Sequence, residues 1–114
     1  MDRSRRWGQG DDLPTEVDGS VFRALADRRR RLVVYHLLDR ERASIDEVVE
    51  ALLGRLDGET DETGVRVSLR HVHLPKLADA GLVSLEDDLV LADFDGPAES
   101  LVGRIREVDP VAPE

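Results

Sequence analysis

The chain has 114 residues, enough for one domain with a modest core, and its lack of cysteine excludes disulfides and thiolate metal sites. Apolar residues make up 40% and aromatic residues 4%, so the core must be built from Leu, Val, Ala and Ile. Acidic residues number 25 against 16 basic ones, a formal net charge of −9, and Lys76 is the single lysine.

An acidic chain with almost no lysine has the composition of a halophile protein, in which carboxylates hold water in concentrated salt. At about 1 M salt the Debye length falls to about 3 Å, so overall acidity does not bar a nucleic-acid partner. No apolar run is long enough for a membrane span. The N-terminal basic residues are followed by no apolar stretch of the secretory kind, and a cytoplasmic protein is expected.

Residues 1–14 read as a flexible polar tail with Trp7 as its one anchor candidate. From Thr15, the residues Val17, Val21, Phe22, Leu25 and Ala26 recur at helical spacing, and Asp27 ends that segment or caps the next. Residues 28–40, RRRRLVVYHLLDR, make a second helix. Its stripe of Val33, Val34, Leu37 and Leu38 is widened by Leu32 and Tyr35, which predicts a central place in a small bundle. His36 reads as a core or boundary histidine, because no partner stands at metal-ligand spacing. Arg28, Arg29, Arg30 and Arg31 oppose the helix dipole and need counter-anions, either DNA phosphates or nearby acids such as Asp27 and Asp18.

Ser44 and Glu47 form a capping box that opens a helix over 44–56, with Ile45, Val48, Val49, Leu52 and Leu56 on one face. DGETDET (57–63) reads as an acidic loop, and a further helix runs from about Val65 to Ala80. Over 82–94, Val83 and Leu85, then Leu89 and Leu91, alternate about the acidic turn Glu86-Asp87-Asp88, which predicts a β-hairpin. Gly96-Pro97 opens a last helix, with Glu99 in its first turn, and Asp109-Pro110 stops it. Its apolar residues Leu101, Val102, Ile105 and Val108 form either a dimer seam or a lid over the core. The chain thus divides into a domain at 15–94, a C-terminal helix at 95–109 and a short tail at 110–114.

Three helices followed by a hairpin is the order of a winged helix-turn-helix, a mainly α fold with a small β-hairpin. The stretch VFRALADRRRRLVVYHLL resembles the opening of ArsR-like transcription regulators. HLPKLADAGLV is similar to the end of their recognition helix, and its H-L-P-K-L form most resembles a haloarchaeal winged-helix family of unassigned function. The likeness covers about residues 17–94 and implies a three-helix core, a wing and a DNA-binding helix. Two features depart from it. ASIDEV stands where metal-sensing members carry cysteines, so no thiolate sensor is implied, and the 57–63 loop exceeds the usual 3–4-residue turn.

Pro75 lies inside the fourth helical segment, where a proline costs about 3 kcal/mol in a regular helix. At about 100° per residue, Val65, Leu69, Val72 and His73 share a face, but Leu74 then lands opposite and Leu77 at the edge. One extra residue of winding between His73 and Pro75, a single-turn π-bulge, brings both leucines back to that face. The alternative is that Pro75 starts a separate short helix. The outward side then carries Arg66, Val67, Arg70 and His71, with Lys76 beyond. The stretch 63–78 contains no acid, so all 25 acidic residues lie elsewhere.

Together these features predict a DNA-binding transcriptional regulator that reads the major groove with residues 65–74. Arginines would meet guanine and phosphate, and Val67 a thymine methyl. A homodimer is expected, since one short helix reads few base pairs. No cofactor, metal or small-molecule ligand is implied. An enzyme is not expected: His71 and His73 diverge, and no nucleophile, carboxylate pair or phosphate loop stands out. The alternative is a winged-helix protein-interaction module without DNA binding, which the net acidity and the Glu86-Asp87-Asp88 tip favour.

Overall fold

The computed structural model describes residues 19–56 and 61–110. The expected tail with Trp7, the helix start at 15–18, residues 57–60 of the acidic loop and residues 111–114 lie outside the described residues. Helices α1 (Gly19–Ala24) and α2 (Arg28–Arg40) meet at Asp27, whose Oδ1 accepts from the backbone N–H groups of Arg29 (2.7 Å) and Arg30 (3.2 Å). This satisfies two of the donors that a helix start leaves unpaired. The wide apolar girth of α2 is used: Leu32, Val33, Val34, Tyr35 and Leu37 are buried, Leu38 is partly so, and the helix packs against the Ile45–Arg55 and Gly96–Val108 helices and the sheet.

Strand β1 (Arg42–Ser44) follows, an element absent from the sequence reading because three residues are too short to show alternation. Ser44 ends the strand and caps helix α3 (Ile45–Arg55). Its Oγ accepts from Glu47 N–H (3.0 Å), and Glu47 Oε1 accepts from Ser44 N–H (2.8 Å), the reciprocal box that the spacing predicts. Ile45, Val48, Val49 and Leu52 are buried beneath it.

Helix α4 (Glu62–Ser68) begins three residues before the expected start at 65, because Asp61 Oδ1 accepts from Gly64 N–H at 2.8 Å. It continues through a π-helical turn, Leu69–His73, into helix α5 (Leu74–Asp79). The N–H of Leu74 bonds to the carbonyl of Leu69, five residues back. The extra residue is therefore taken up one turn ahead of Pro75, not between His73 and Pro75. The consequence is the expected one: Val65, Leu69, His73, Leu74 and Leu77 are all buried on one side. Val72, expected on that face, is 40% exposed because the wider turn carries it outward.

Strands β2 (Val83–Glu86) and β3 (Leu89–Ala92) form the hairpin, and β3 also pairs with β1 to give a three-stranded antiparallel sheet in the order β1-β3-β2. Val90 of β3 lies opposite Ala43 on one side and Leu85 on the other; Ala43, Val83 and Val90 are buried against the helices. Helix α6 (Gly96–Val108) is capped by Asp95 and carries Pro97 in its first turn, as expected. It packs on α2 and buries Ala98, Leu101 and Val102. Of the two roles read for this stripe, seam or lid, the packing shows the lid for Leu101 and Val102. Leu101 and Val102 cover the side of the core that the preceding helices leave open, Ile105 is half-buried, and Val108 is 80% exposed. The result is a mainly helical domain with a small sheet. Among the described residues no helix is long and apolar enough to cross a membrane.

Candidate nucleic-acid interface

Burying Val65 and Leu69 turns Val67, Arg70 and His71 outward, and Val67 is 52% exposed, which marks a ridge along α4. Arginines stand on one flank of it. Arg66 Nη1 lies 2.6 Å from Asp46 Oδ1 and its Nη2 3.2 Å from Glu62 Oε2, so two hydrogen-bonding carboxylates raise its pKa further. Arg70 Nη2 lies 3.1 Å from Asp88 Oδ1 at the hairpin turn. The paired acids stay in solvent, with Asp46 and Asp88 side chains 81% and 80% exposed.

The run Arg28–Arg31 splits in two. Arg28 and Arg29 lean towards α3 and α4: Arg28 Nη2 donates to the Arg55 carbonyl (3.1 Å) and Arg29 Nη1 to Ser68 Oγ (3.4 Å). By the helical winding, Ser68 lies across the ridge from Arg66 and Arg70, so guanidinium groups stand on both flanks. Arg30 and Arg31 turn back instead to the end of α1. Arg30 Nε donates to the Ala24 carbonyl (2.6 Å), and Arg31 Nη1 to those of Leu25 (3.1 Å) and Ala26 (3.2 Å). They complete carbonyls left over where a helix ends. Arg31 Nε also pairs with Asp109 Oδ2 at 2.7 Å, and the Tyr35 hydroxyl donates to the same oxygen at 2.6 Å. Burial, and then the Asp109 carboxylate, push the Tyr35 hydroxyl well above its ordinary pKa.

His73 is buried, with Nδ1 3.3 Å from Arg30 Nη1. Since arginine has no acceptor, the imidazole accepts here and is neutral. Burial is the main cause of its lowered pKa; Asp27 opposes the shift, and Arg30, Arg29 and Lys76 add to it. His36 is partly buried, and burial followed by Arg40 lowers its pKa; its Nε2 has no hydrogen-bond partner among the described residues.

Of the residues read as a DNA-contacting set, Arg66, Val67, Arg70 and His71 are brought together. Lys76 lies beyond the π-turn, where it lines a cleft with Arg23 and Arg30. Arg23 could not be found from sequence, because its place depends on α1 packing against α5. Among the described residues no cluster of His, Asp or Glu could hold a metal ion. Residues 22–90, more than half of the chain, match a family described as Domain of unknown function (DUF7344). No curated protein and no solved structure matches the chain.

Proposed function

We propose, for a chain that belongs to the DUF7344 family, that it is a DNA-binding winged-helix regulator laying the ridge of α4 in the major groove. The observation that carries this reading is the exposed ridge of Val67, Arg70 and His71 with guanidinium groups on both flanks, within the acid-free stretch of an acidic chain. The element order supports it too: two helices, a strand, two further helical segments, then a hairpin whose second strand pairs with β1. That is the order of the winged helix-turn-helix that the ArsR-like resemblance implies.

A major groove about 12 Å wide admits a helix, whose arginines can form bidentate pairs with guanine while an apolar side chain meets a thymine methyl. Arg70 and Val67 fit those roles. Arg28 and Arg29 suit phosphates on the far wall. Exposed ion pairs contribute about 0–1 kcal/mol, so Arg66 and Arg70 can exchange Asp46 and Asp88 for phosphate at little cost. Two copies give the reach that operator specificity requires.

A protein-interaction module is the second reading, favoured by the same ion pairs, since Arg66 and Arg70 already have carboxylate partners. Fluorescence polarisation with duplex DNA across a range of KCl concentrations decides between them. Saturable binding that weakens by about tenfold or more in Arg66→Ala/Arg70→Ala is expected. No binding at any salt overturns the DNA reading and leaves the second.

A further inference from the structure

Past the π-turn, three cations share one small cleft. An open cleft of about 250 Å³ lies between helices α1 and α5, and its polar lining is Ser20, Arg23, Lys76 and Asp79 with Arg30 of α2. In a chain with 25 acids and 16 bases, this cleft reverses the balance, with three cations against one carboxylate. Among the described residues no ion pair forms at Arg23 or Lys76, whereas Arg31, Arg66, Arg70 and Arg106 each have a carboxylate partner.

The arrangement is built rather than accidental in one respect: Arg30 is fixed from behind. Its Nε donates to the Ala24 carbonyl at 2.6 Å and its Nη1 to the neutral His73 Nδ1 at 3.3 Å. Among the described residues its Nη2 is left without a hydrogen bond. A guanidinium held in place in this way loses little freedom on meeting an oxyanion, and its planar fork matches oxyanion geometry. His73 beneath them is held neutral chiefly by burial; Asp27 favours its protonation, and Arg30, Arg29 and Lys76 oppose it. Like charges gathered in one cleft repel until an anion joins them, and Asp79 supplies a single negative charge. Asp27 adds a second carboxylate that acts on Arg30 from the start of α2, and the lining itself still keeps a positive excess that suits an oxyanion. Pockets for drug-sized ligands measure about 300–1,000 Å³, so the smaller cleft suits one tetrahedral anion or the end of a phosphorylated group.

We propose that the cleft between α1 and α5 binds a phosphate-class oxyanion through Arg23, Arg30 and Lys76. The anion is supplied either by the DNA backbone or by a free phosphorylated small molecule. This does not require the α4 ridge to bind DNA.

The full chain, labelled with ¹⁵N, is titrated with inorganic phosphate at constant ionic strength and followed by NMR. Saturable shifts at the backbone amides of Ser20, Arg23, Lys76 and Ala80 are expected. Arg23→Gln and Lys76→Gln each weaken binding by about tenfold, the loss of one charge-assisted hydrogen bond. Arg106→Gln, whose guanidinium pairs with Asp39 away from both the cleft and the ridge, leaves it unchanged. The absence of a saturable shift, or the same shift in Arg23→Gln/Lys76→Gln, overturns the proposal; retained amide dispersion shows that this variant is folded.

Polarisation with duplex DNA then separates the two sources. Competition by phosphate together with weaker DNA binding in the double variant assigns the site to the backbone. Saturable phosphate binding with DNA affinity unchanged in the variant assigns it to a free anion. A chain that binds phosphate and no DNA keeps this site and overturns the regulatory reading instead.

Discussion

Arg31 and Arg66 make ion pairs of nearly equal length, 2.7 Å to Asp109 and 2.6 Å to Asp46, yet the two pairs serve different ends. The Asp109 side chain is 6% exposed and also accepts from Tyr35, so its charge is enclosed and fully used. The Asp46 side chain is 81% exposed and can leave its partner for water without cost to the fold. Distance does not separate a structural arginine from an exchangeable one; burial of the acid does. Asp109→Ala tests the enclosed side. It strips the partner from a guanidinium and a buried phenol together, and a loss of about 3 kcal/mol is expected in urea unfolding. Tyr35→Phe removes one donor and leaves the ion pair, for a loss of about 1 kcal/mol. If Asp109→Ala cost no more than an exposed pair does, the distinction would fail.

The exposed side is tested by Asp46→Asn/Glu62→Gln/Asp88→Asn, since Arg66 also pairs with Glu62 at 3.2 Å. Stability should change by less than about 1 kcal/mol, because exposed pairs contribute no more than that. DNA binding should change more. In the unaltered chain, each arginine that meets a phosphate releases a cation from DNA, while the carboxylate it leaves takes one up. Without that carboxylate, affinity at low salt rises, and the plot of log affinity against log salt steepens by about 0.9 for each arginine freed. An unchanged slope would mean that Arg66 and Arg70 keep their carboxylates when DNA is bound, or do not meet it.

The features legible in the sequence were those decided within a turn or two of chain. Ser44 with Glu47, Asp27 ahead of α2, and Gly96-Pro97 ahead of α6 each mark a helix start by local hydrogen bonding. The register slip at Leu74 could be counted on the helix itself, although the π-turn falls at Leu69–His73 and not against Pro75. Asp61 was a missed local signal: the loop composition of 57–63 hid a capping aspartate followed by Glu62 in the first turn. What the sequence withheld was tertiary. β1 exists through its pairing with β3, and three residues cannot announce that partner. The stripe of α6 showed that Leu101 and Val102 must be covered, without showing that α2 covers them. Four arginines announced a need for anions, but two of them meet that need with the end of α1 and with Asp109.

Arg30 offers a third case, in which the partner is a neutral ring, and it carries the smallest predicted effect. His73 is shielded by burial and faces Arg30, Arg29 and Lys76, with Asp27 as the opposing charge, so its pKa lies below the ordinary 6.5. In the unfolded chain the ring takes a proton near that ordinary value, whereas in the folded chain it resists until the pH is lower. Between the two values the unfolded state binds more protons, so its population gains as the pH falls. Stability should therefore be level above about 6.5 and decline below it, with His36 adding a decline of the same sign. Urea midpoints measured from neutral to mildly acidic pH read this directly. His73→Asn keeps an acceptor for Arg30 but does not titrate, so it removes its share of the decline and leaves that of His36. The three arginines then separate by what frees them: unfolding for Arg31, a competing phosphate for Arg66, and acid for Arg30. A stability that rose on acidification would require His73 to be charged in the folded chain, and a charged imidazole cannot accept from Arg30.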